Sequence, residues 1–338
     1  MIKKINYLLL LLFCFPAYAQ QLPHYTQYIL NNYVLNPALT GIENYTDIKL
    51  SARDQWVGLD GAPKTFYLTV HGPIGKKDYK STATSFHTPG ENPRGKSYWE
   101  NYQPSQPHHG IGLSVINDKT GNYNHLFVNA SYAYHVGLSS GTNIAAGFSA
   151  GISKLSYDRS KATPVDPNDP SIGNVNTILT KVQPDINVGI WLYSADYFFG
   201  ISVQQIISKK VAFVNQQEGF KIIPHFFTTA GYRFLLDDDI NMIPSIMAKY
   251  VKGSPTVPQF DINIKLQYQD LIWVGASYRL QDGYAAMTGL NIGNTFNVGY
   301  SYDFTKTIIN TTSHGTHEII LGFLIGNHYG DTCPRNIW

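Results

Sequence analysis

Residues 260–268 alternate without a break between apolar and polar side chains: Phe260, Ile262, Ile264, Leu266 and Tyr268 on one set of positions, Asp261, Asn263, Lys265 and Gln267 on the other. Successive side chains of a β-strand point to opposite faces, so this segment predicts a strand with one oily and one wet face. About ten such residues, tilted, suffice to cross a bilayer as one stave of a barrel. The pattern recurs. It predicts further strands over residues 45–53, 65–71, 110–116, 124–136, 143–157, 185–193 and 197–207, then 224–235, 240–251, 271–280, 284–292, 295–303 and 317–324. That makes about fourteen, an even count within the range of bacterial outer-membrane barrels. Within residues 124–136, Leu126, Val128, Ala130, Tyr132, Tyr134 and Val136 share one face. In the next segment Gly147 and Gly151 fall on the more polar, inner one. Pro244 is expected near a strand start or bulge, because it cannot donate to a ladder.

The connections are phased. Residues 137–142, 194–196, 236–239, 269–270 and 293–294 are short and follow even strands. The longer 158–184, 208–223 and 304–316 follow odd ones, with 281–283 a brief member of that set. Barrels of this kind have short periplasmic turns and longer outer loops, so both termini are expected in the periplasm. Residues 72–109 break the rule: long, polar and rich in Pro, Gly, Ser and Lys. They read as a large periplasmic loop or lumen plug, or as a segment hiding another hairpin; long structureless connections are usually functional.

Composition fits the membrane reading. The chain holds 24 Tyr, 17 Phe and 29 Gly and is only 14% charged. That balance suits aromatic girdles around a polar lumen. Residues 1–19 read as a signal peptide: Lys3 and Lys4, an apolar stretch over residues 8–15, and Ala17-Tyr18-Ala19 as the cleavage site. The bulky Phe13 before Cys14 argues against lipoprotein processing. The formal charge of +2 includes Lys3 and Lys4, so the mature chain is close to neutral and offers no field for nucleic acid. Cys333 remains as a lone cysteine, which excludes an internal disulfide after cleavage.

Few residues stand out chemically. Asn36-Pro37-Ala38 reads as a chain reversal into the first strand, since Pro fixes its own φ and keeps Asn36 extended. The alternative is that residues 20–44 lie in the lumen or dock a partner. Arg53 falls on the polar face of the first strand, and a lumen carboxylate such as Asp261 or Glu318 is its expected partner. Trp56 suits a membrane boundary. His317 and Glu318 with His314, and the pair His108-His109, lack a ligand set of metal-binding spacing, and no motif supplies a nucleophile with its base. Neither a cofactor nor a metal is expected.

Several segments, in order, carry a resemblance. His24-Tyr25-Thr26-Gln27-Tyr28 is followed by Asn36-Pro37-Ala38-Leu39-Thr40-Gly41, then Arg53-Asp54-Gln55-Trp56 and Gly61-Ala62-Pro63-Lys64-Thr65. Further on stand Asn117-Asp118-Lys119-Thr120-Gly121, Ser131-Tyr132-Ala133-Tyr134-His135, His317-Glu318-Ile319 and the tail Cys333-Pro334-Arg335. The series resembles the PorP/SprF family of outer-membrane proteins, associated with type IX secretion and gliding in Bacteroidota. The resemblance departs at Leu22-Pro23-His24-Tyr25, where the family usually has Asp-Pro and a Phe, and at Leu39-Thr40, where Tyr-Ala is commoner. It implies an all-β transmembrane antiparallel barrel, resembling the long-chain fatty-acid transporters, and a non-catalytic role: receiving, helping to secrete or anchoring a surface adhesin with a C-terminal secretion domain. Implied partners are the translocon, a periplasmic ring lipoprotein with its own partner, and the lipid bilayer. The tail, residues 326–338, would dock periplasmic machinery or hang free. A pore or uptake channel for small or hydrophobic molecules is the alternative.

Overall fold

The computed structural model describes residues 22–23, 25–76, 104–161, 178–207, 210–211, 220–251, 258–269, 271–280, 282–293, 295–307 and 311–327. Among these, fourteen antiparallel strands close into one barrel. They are β1 (Thr46–Asp54), β2 (Lys64–Ile74), β3 (His108–Thr120), β4 (Tyr123–Ser139), β5 (Thr142–Asp158), β6 (Ile178–Tyr193) and β7 (Tyr197–Gln204). The second half is β8 (His225–Tyr232, resumed over Phe234–Asp237), β9 (Ile240–Val251), β10 (Gln259–Tyr268), β11 (Ile272–Arg279), β12 (Gly283–Ile292), β13 (Phe296–Thr305) and β14 (Thr316–Ile325). Each strand pairs with its chain neighbours, and β1 pairs with β14 to close the ring, Thr46 opposite Ile325 and Arg53 opposite Glu318. Closure leaves no open sheet edge, the condition hydrocarbon imposes on a sheet that crosses it.

The alternation of β10 shows how the wall is built. Asp261, Asn263, Lys265 and Gln267 are all under 5% exposed, whereas Phe260, Ile262, Ile264, Leu266 and Tyr268 are 38–52% exposed. Polar inside and apolar outside is the inverse of a water-soluble protein and matches a lipid-facing wall. In β4, Leu126, Val128, Ala130, Tyr132, Tyr134 and Val136 face out, while Asn129, Ser131 and His135 are buried. Outward aromatics such as Phe66, Tyr134, Tyr284 and Phe304 supply the girdles.

Pro244 sits within β9, opposite Ile264 of β10. It offers no N–H, and on its other side β8 breaks between Tyr232 and Phe234; the Arg233 amide bonds Asp196 O instead, at 2.6 Å. β6 begins at Ile178, seven residues before the expected start, and β2 and β3 both extend into what was read as their connection. Strands β4, β5 and β6 are 17, 17 and 16 residues long. At ~3.3 Å per residue and a tilt of roughly 40° they rise on the order of 40 Å, well beyond an apolar band of ~25 Å. The barrel is therefore taller on that side.

We call the rim holding Thr46 and Ile325 the near rim, and the opposite one the far rim. A short two-residue ladder, Lys210–Val211 with Phe220–Lys221, lies within the far-rim connection between β7 and β8. The expected signal peptide, His24, most of the 72–109 and 158–184 connections and the tail with Cys333, Pro334 and Arg335 lie outside the described residues.

Candidate functional site

The lumen is occupied by the chain's own N-terminal segment. Residues 25–44 are buried almost throughout and run as three 3-10 turns, Gln27–Leu30, Asn32–Val34 and Pro37–Leu39. A segment buried on all sides must satisfy its backbone without a ladder. Tight turns do part of this: Asn31 N donates to Tyr28 O (2.9 Å) and Leu35 N to Asn32 O (2.9 Å). Wall side chains add to this, with Ser202 Oγ donating to Leu35 O (2.6 Å) and Gln204 Nε2 to Val34 O (2.8 Å).

The segment threads the whole barrel. At the far rim, Leu22 lies by His225, and Thr26 meets Arg53, Asp303 and Glu318. Midway, Asn263 Nδ2 donates to Tyr28 OH (2.6 Å), Asn31 Nδ2 donates to Thr69 Oγ1 (3.0 Å), and Tyr33 OH bonds Ser131 Oγ (2.7 Å). At the near rim, Lys76 Nζ donates to Ile42 O (2.7 Å) before the chain turns into β1. Apolar contacts seal the polar ones: Tyr28, Ile29 and Leu35 join Tyr67, Trp273 and Ile320 in one core, and Leu39 and Ile42 join Trp191 and Tyr193 in another.

Asn36-Pro37-Ala38 holds the middle of this segment. Asn36 Oδ1 caps the third turn by accepting from Ala38 N (2.9 Å), and Pro37 takes the first helical position, where its missing N–H costs nothing. Asn36 Nδ2 reaches the wall, donating to Ile190 O (3.0 Å) and Ile201 O (3.3 Å). The wall admits it because Gly147 and Gly189 have no side chain; a Cβ on Gly189 would stand 2.0 Å from Asn36 Oδ1, and one on Gly147 2.6 Å from Pro37 O.

Two polar clusters fix the ends. Near the far rim, Arg53 Nη1 bonds Glu318 Oε2 (3.0 Å) and Thr26 Oγ1 (2.8 Å), and Nη2 bonds Asp303 Oδ2 (2.7 Å). Thr26 adds its own amide to Glu318 Oε2 (2.9 Å). Asp261, the other expected partner, binds Arg279 instead (3.2 Å), and Arg279 also meets Asp282 (3.0 Å). Such a network is held by its geometry, since each buried charge needs its neighbours to offset desolvation. Toward the near rim, Thr40 and Gly41 are clasped by histidines: His135 Nε2 donates to Thr40 O (2.8 Å), leaving Nδ1 to accept from Tyr193 OH (3.0 Å). His71 Nδ1 accepts from Gly41 N (3.3 Å), and the His108 ring stacks on His135 at 4.6 Å. Asp47 and Lys49 form a buried pair beside them.

The other singled-out residues are elsewhere. Trp56 stands in the far-rim turn after β1 with φ 53°, its amide donating to Thr316 Oγ1 (3.1 Å). His317 points outward and bonds Tyr300 OH (2.7 Å), while its neighbour Glu318 points in. His314 approaches Val57 O (3.4 Å). Sequence reasoning did not single out Tyr33, His71, Asp303 or Arg279, and it met Thr26, Thr40 and His135 only inside the family-like segments, with no role given to them. One signal was present: residues 25–39 carry Tyr25, Tyr28, Ile29, Leu30, Tyr33, Val34 and Leu35 in no strand period, the composition of a core segment rather than of a loop.

A closed barrel with apolar exterior and self-filled lumen defines an integral protein of the outer membrane. Residues 17–323 match the family described as type IX secretion system membrane protein PorP/SprF, and the chain belongs to that family. It is thus a membrane protein of the type IX secretion machinery. Solved structures share the fold. The Ralstonia pickettii toluene transporter TbuX aligns with TM-score 0.50 and 8% identity over 89% of this chain and 93% of its own. The CymD monoaromatic hydrocarbon channel aligns with TM-score 0.50 and 10% identity over 90% and 94%. No curated protein matches the chain.

Proposed function

We propose that this protein is a non-enzymatic docking component of type IX secretion or gliding, which receives, helps secrete or anchors a surface adhesin. The observation that carries the reading is the filled lumen: residues 25–44 occupy the space a conduit would need. With the passage occupied, recognition falls to the rims. The near rim faces the periplasm in this reading, because its connections are mostly the short ones. The far-rim connections over residues 158–184 and 208–223 hold the passenger's secretion domain through loop or edge-strand contacts. The 72–109 connection and the tail, with Cys333, Pro334 and Arg335, face the secretion machinery.

Affinity purification of the full chain from native outer membranes tests this. Recovery of a large adhesin or of secretion subunits is expected; recovery of the barrel alone contradicts it. Deleting residues 328–338 is expected to leave the barrel assembled and to lose the periplasmic partner, and unchanged co-purification would contradict the role given to the tail. A second reading, a pore or uptake channel, is favoured by the fold shared with hydrocarbon channels and transporters. Steady, large single-channel currents from the full chain would support it.

A further inference from the structure

Beside the plug, toward the far rim, lies a small cavity. Leu22, Pro23 and Tyr25 of the plug line one side, and side chains of β3 to β8 line the other. One charged residue, Asp185 of β6, is among the lining groups. It is 5% exposed, and its hydrogen bonds from Asn129 Nδ2 (2.7 Å) and Asn187 Nδ2 (3.2 Å) both end on Oδ2. Oδ1 accepts no hydrogen bond among the described residues. Asp47, Asp261, Asp303 and Glu318, buried elsewhere in the lumen, each have a Lys or Arg partner; among the described residues Asp185 has none. A buried carboxylate without a cation is the arrangement that burial penalises most.

A second, independent feature points into the same space. Gln205, just past β7, has φ 56°, a left-handed backbone that residues other than glycine seldom adopt. Its amide donates to Asn187 Oδ1 (2.8 Å), which holds the strained conformation in place. The side chain is 6% exposed, lines the cavity and makes no hydrogen bond among the described residues. Strain of this kind, stabilised by its surroundings, marks positions where a side chain is aimed. Phe127 and Phe227 complete the lining with apolar faces.

We propose that this cavity binds a small organic molecule bearing a primary ammonium group. The ammonium donates to Asp185 Oδ1 and to the Gln205 side-chain carbonyl, and its short apolar body lies against Phe127 and Phe227. Three N–H donors on a point charge suit acceptors spread over two strands. A carboxylate ligand would meet Asp185 with like charge. A calcium ion would need six or more oxygen ligands and further negative charge. The aromatic faces add attraction for a cation that an anion lacks.

The test uses the full chain in lipid nanodiscs at fixed ionic strength, with n-butylammonium, 1-butanol and butyrate as probes in calorimetry or ligand-observed NMR. Saturable binding of butylammonium is expected, with 1-butanol and butyrate weaker by about tenfold or more, as loss of a charged hydrogen bond predicts. Asp185→Asn should weaken butylammonium by a similar factor while the variant keeps the heat-modifiable gel migration of a folded barrel, and Gln205→Ala should weaken it several-fold. Equal binding of butylammonium and 1-butanol by the wild-type chain would overturn the proposal. So would unchanged butylammonium affinity in folded Asp185→Asn. Should that variant fail to fold, the three-probe comparison on the wild-type chain decides alone.

Discussion

Strand β10 and the N-terminal plug both place polar groups inside the barrel, by different means. In β10, residues 261–268 pair in ladders with both β9 and β11, and Asp261, Asn263, Lys265 and Gln267 merely line the inside. The plug has no ladder. Its turns satisfy some backbone groups, and others are met by Glu318, Ser202, Gln204, Lys76, His71 and His135 of the wall and its near-rim end. The wall therefore holds itself together through its closure, while the plug is ordered by the wall. Side chains that join the two should loosen the plug when removed, and leave the barrel standing.

The largest effect is expected at Arg53, which ties β1 to Asp303 and Glu318 and also to Thr26 of the plug. Arg53→Ala leaves Glu318 without its cation and Asp303 with only the longer contact to Arg279 (3.8 Å), a change of about 3–5 kcal/mol for a broken buried pair. Urea unfolding in lipid vesicles should show a loss of that order, and a loss below 1 kcal/mol (roughly the worth of an exposed pair) would mean the network is solvated. Next comes the close approach at Gly147. An added methyl meets Pro37 O at 2.6 Å and Ala38 Cα at 2.7 Å, both backbone. Gly147→Ala should cost about 1–3 kcal/mol by overpacking, and should raise hydrogen exchange over residues 27–44 while β4 and β5 stay protected. Equal loss of protection in wall and plug would break the distinction between them. Smallest is Asn36→Ala, which removes one cap and two wall contacts for about 1 kcal/mol, with exchange changes confined to the plug.

The same contrast explains what was legible in the sequence. A strand between lipid and lumen sees two solvents, and the period of two in residues 260–268 records both, so all fourteen strands could be placed to within a few residues. The start of β6 was the exception: residues 178–184 belong to a strand longer than an apolar band of ~25 Å requires, and strict alternation is lost there. Residues 25–44 see one environment on all sides and carry no period, so Asn36-Pro37-Ala38 read as a chain reversal, with the lumen only as an alternative place for residues 20–44, and the cap that Asn36 makes was not readable. Arg53 and Glu318 could be suggested as partners from facing and charge. Asp303 and Thr26 could not, because their approach depends on register between β13 and β14 and on where the plug lies. Asp185 and Gln205 were equally hidden: one is an ordinary inward position, the other owes its role to a backbone angle.

The central claim is that the plug, and not the wall, closes the lumen. Planar-bilayer recording of the full chain beside a variant lacking residues 22–44 tests it directly. The account predicts a quiet wild-type protein and steady, large single-channel steps from the folded deletion variant. Steady steps of the same size from both proteins would contradict it.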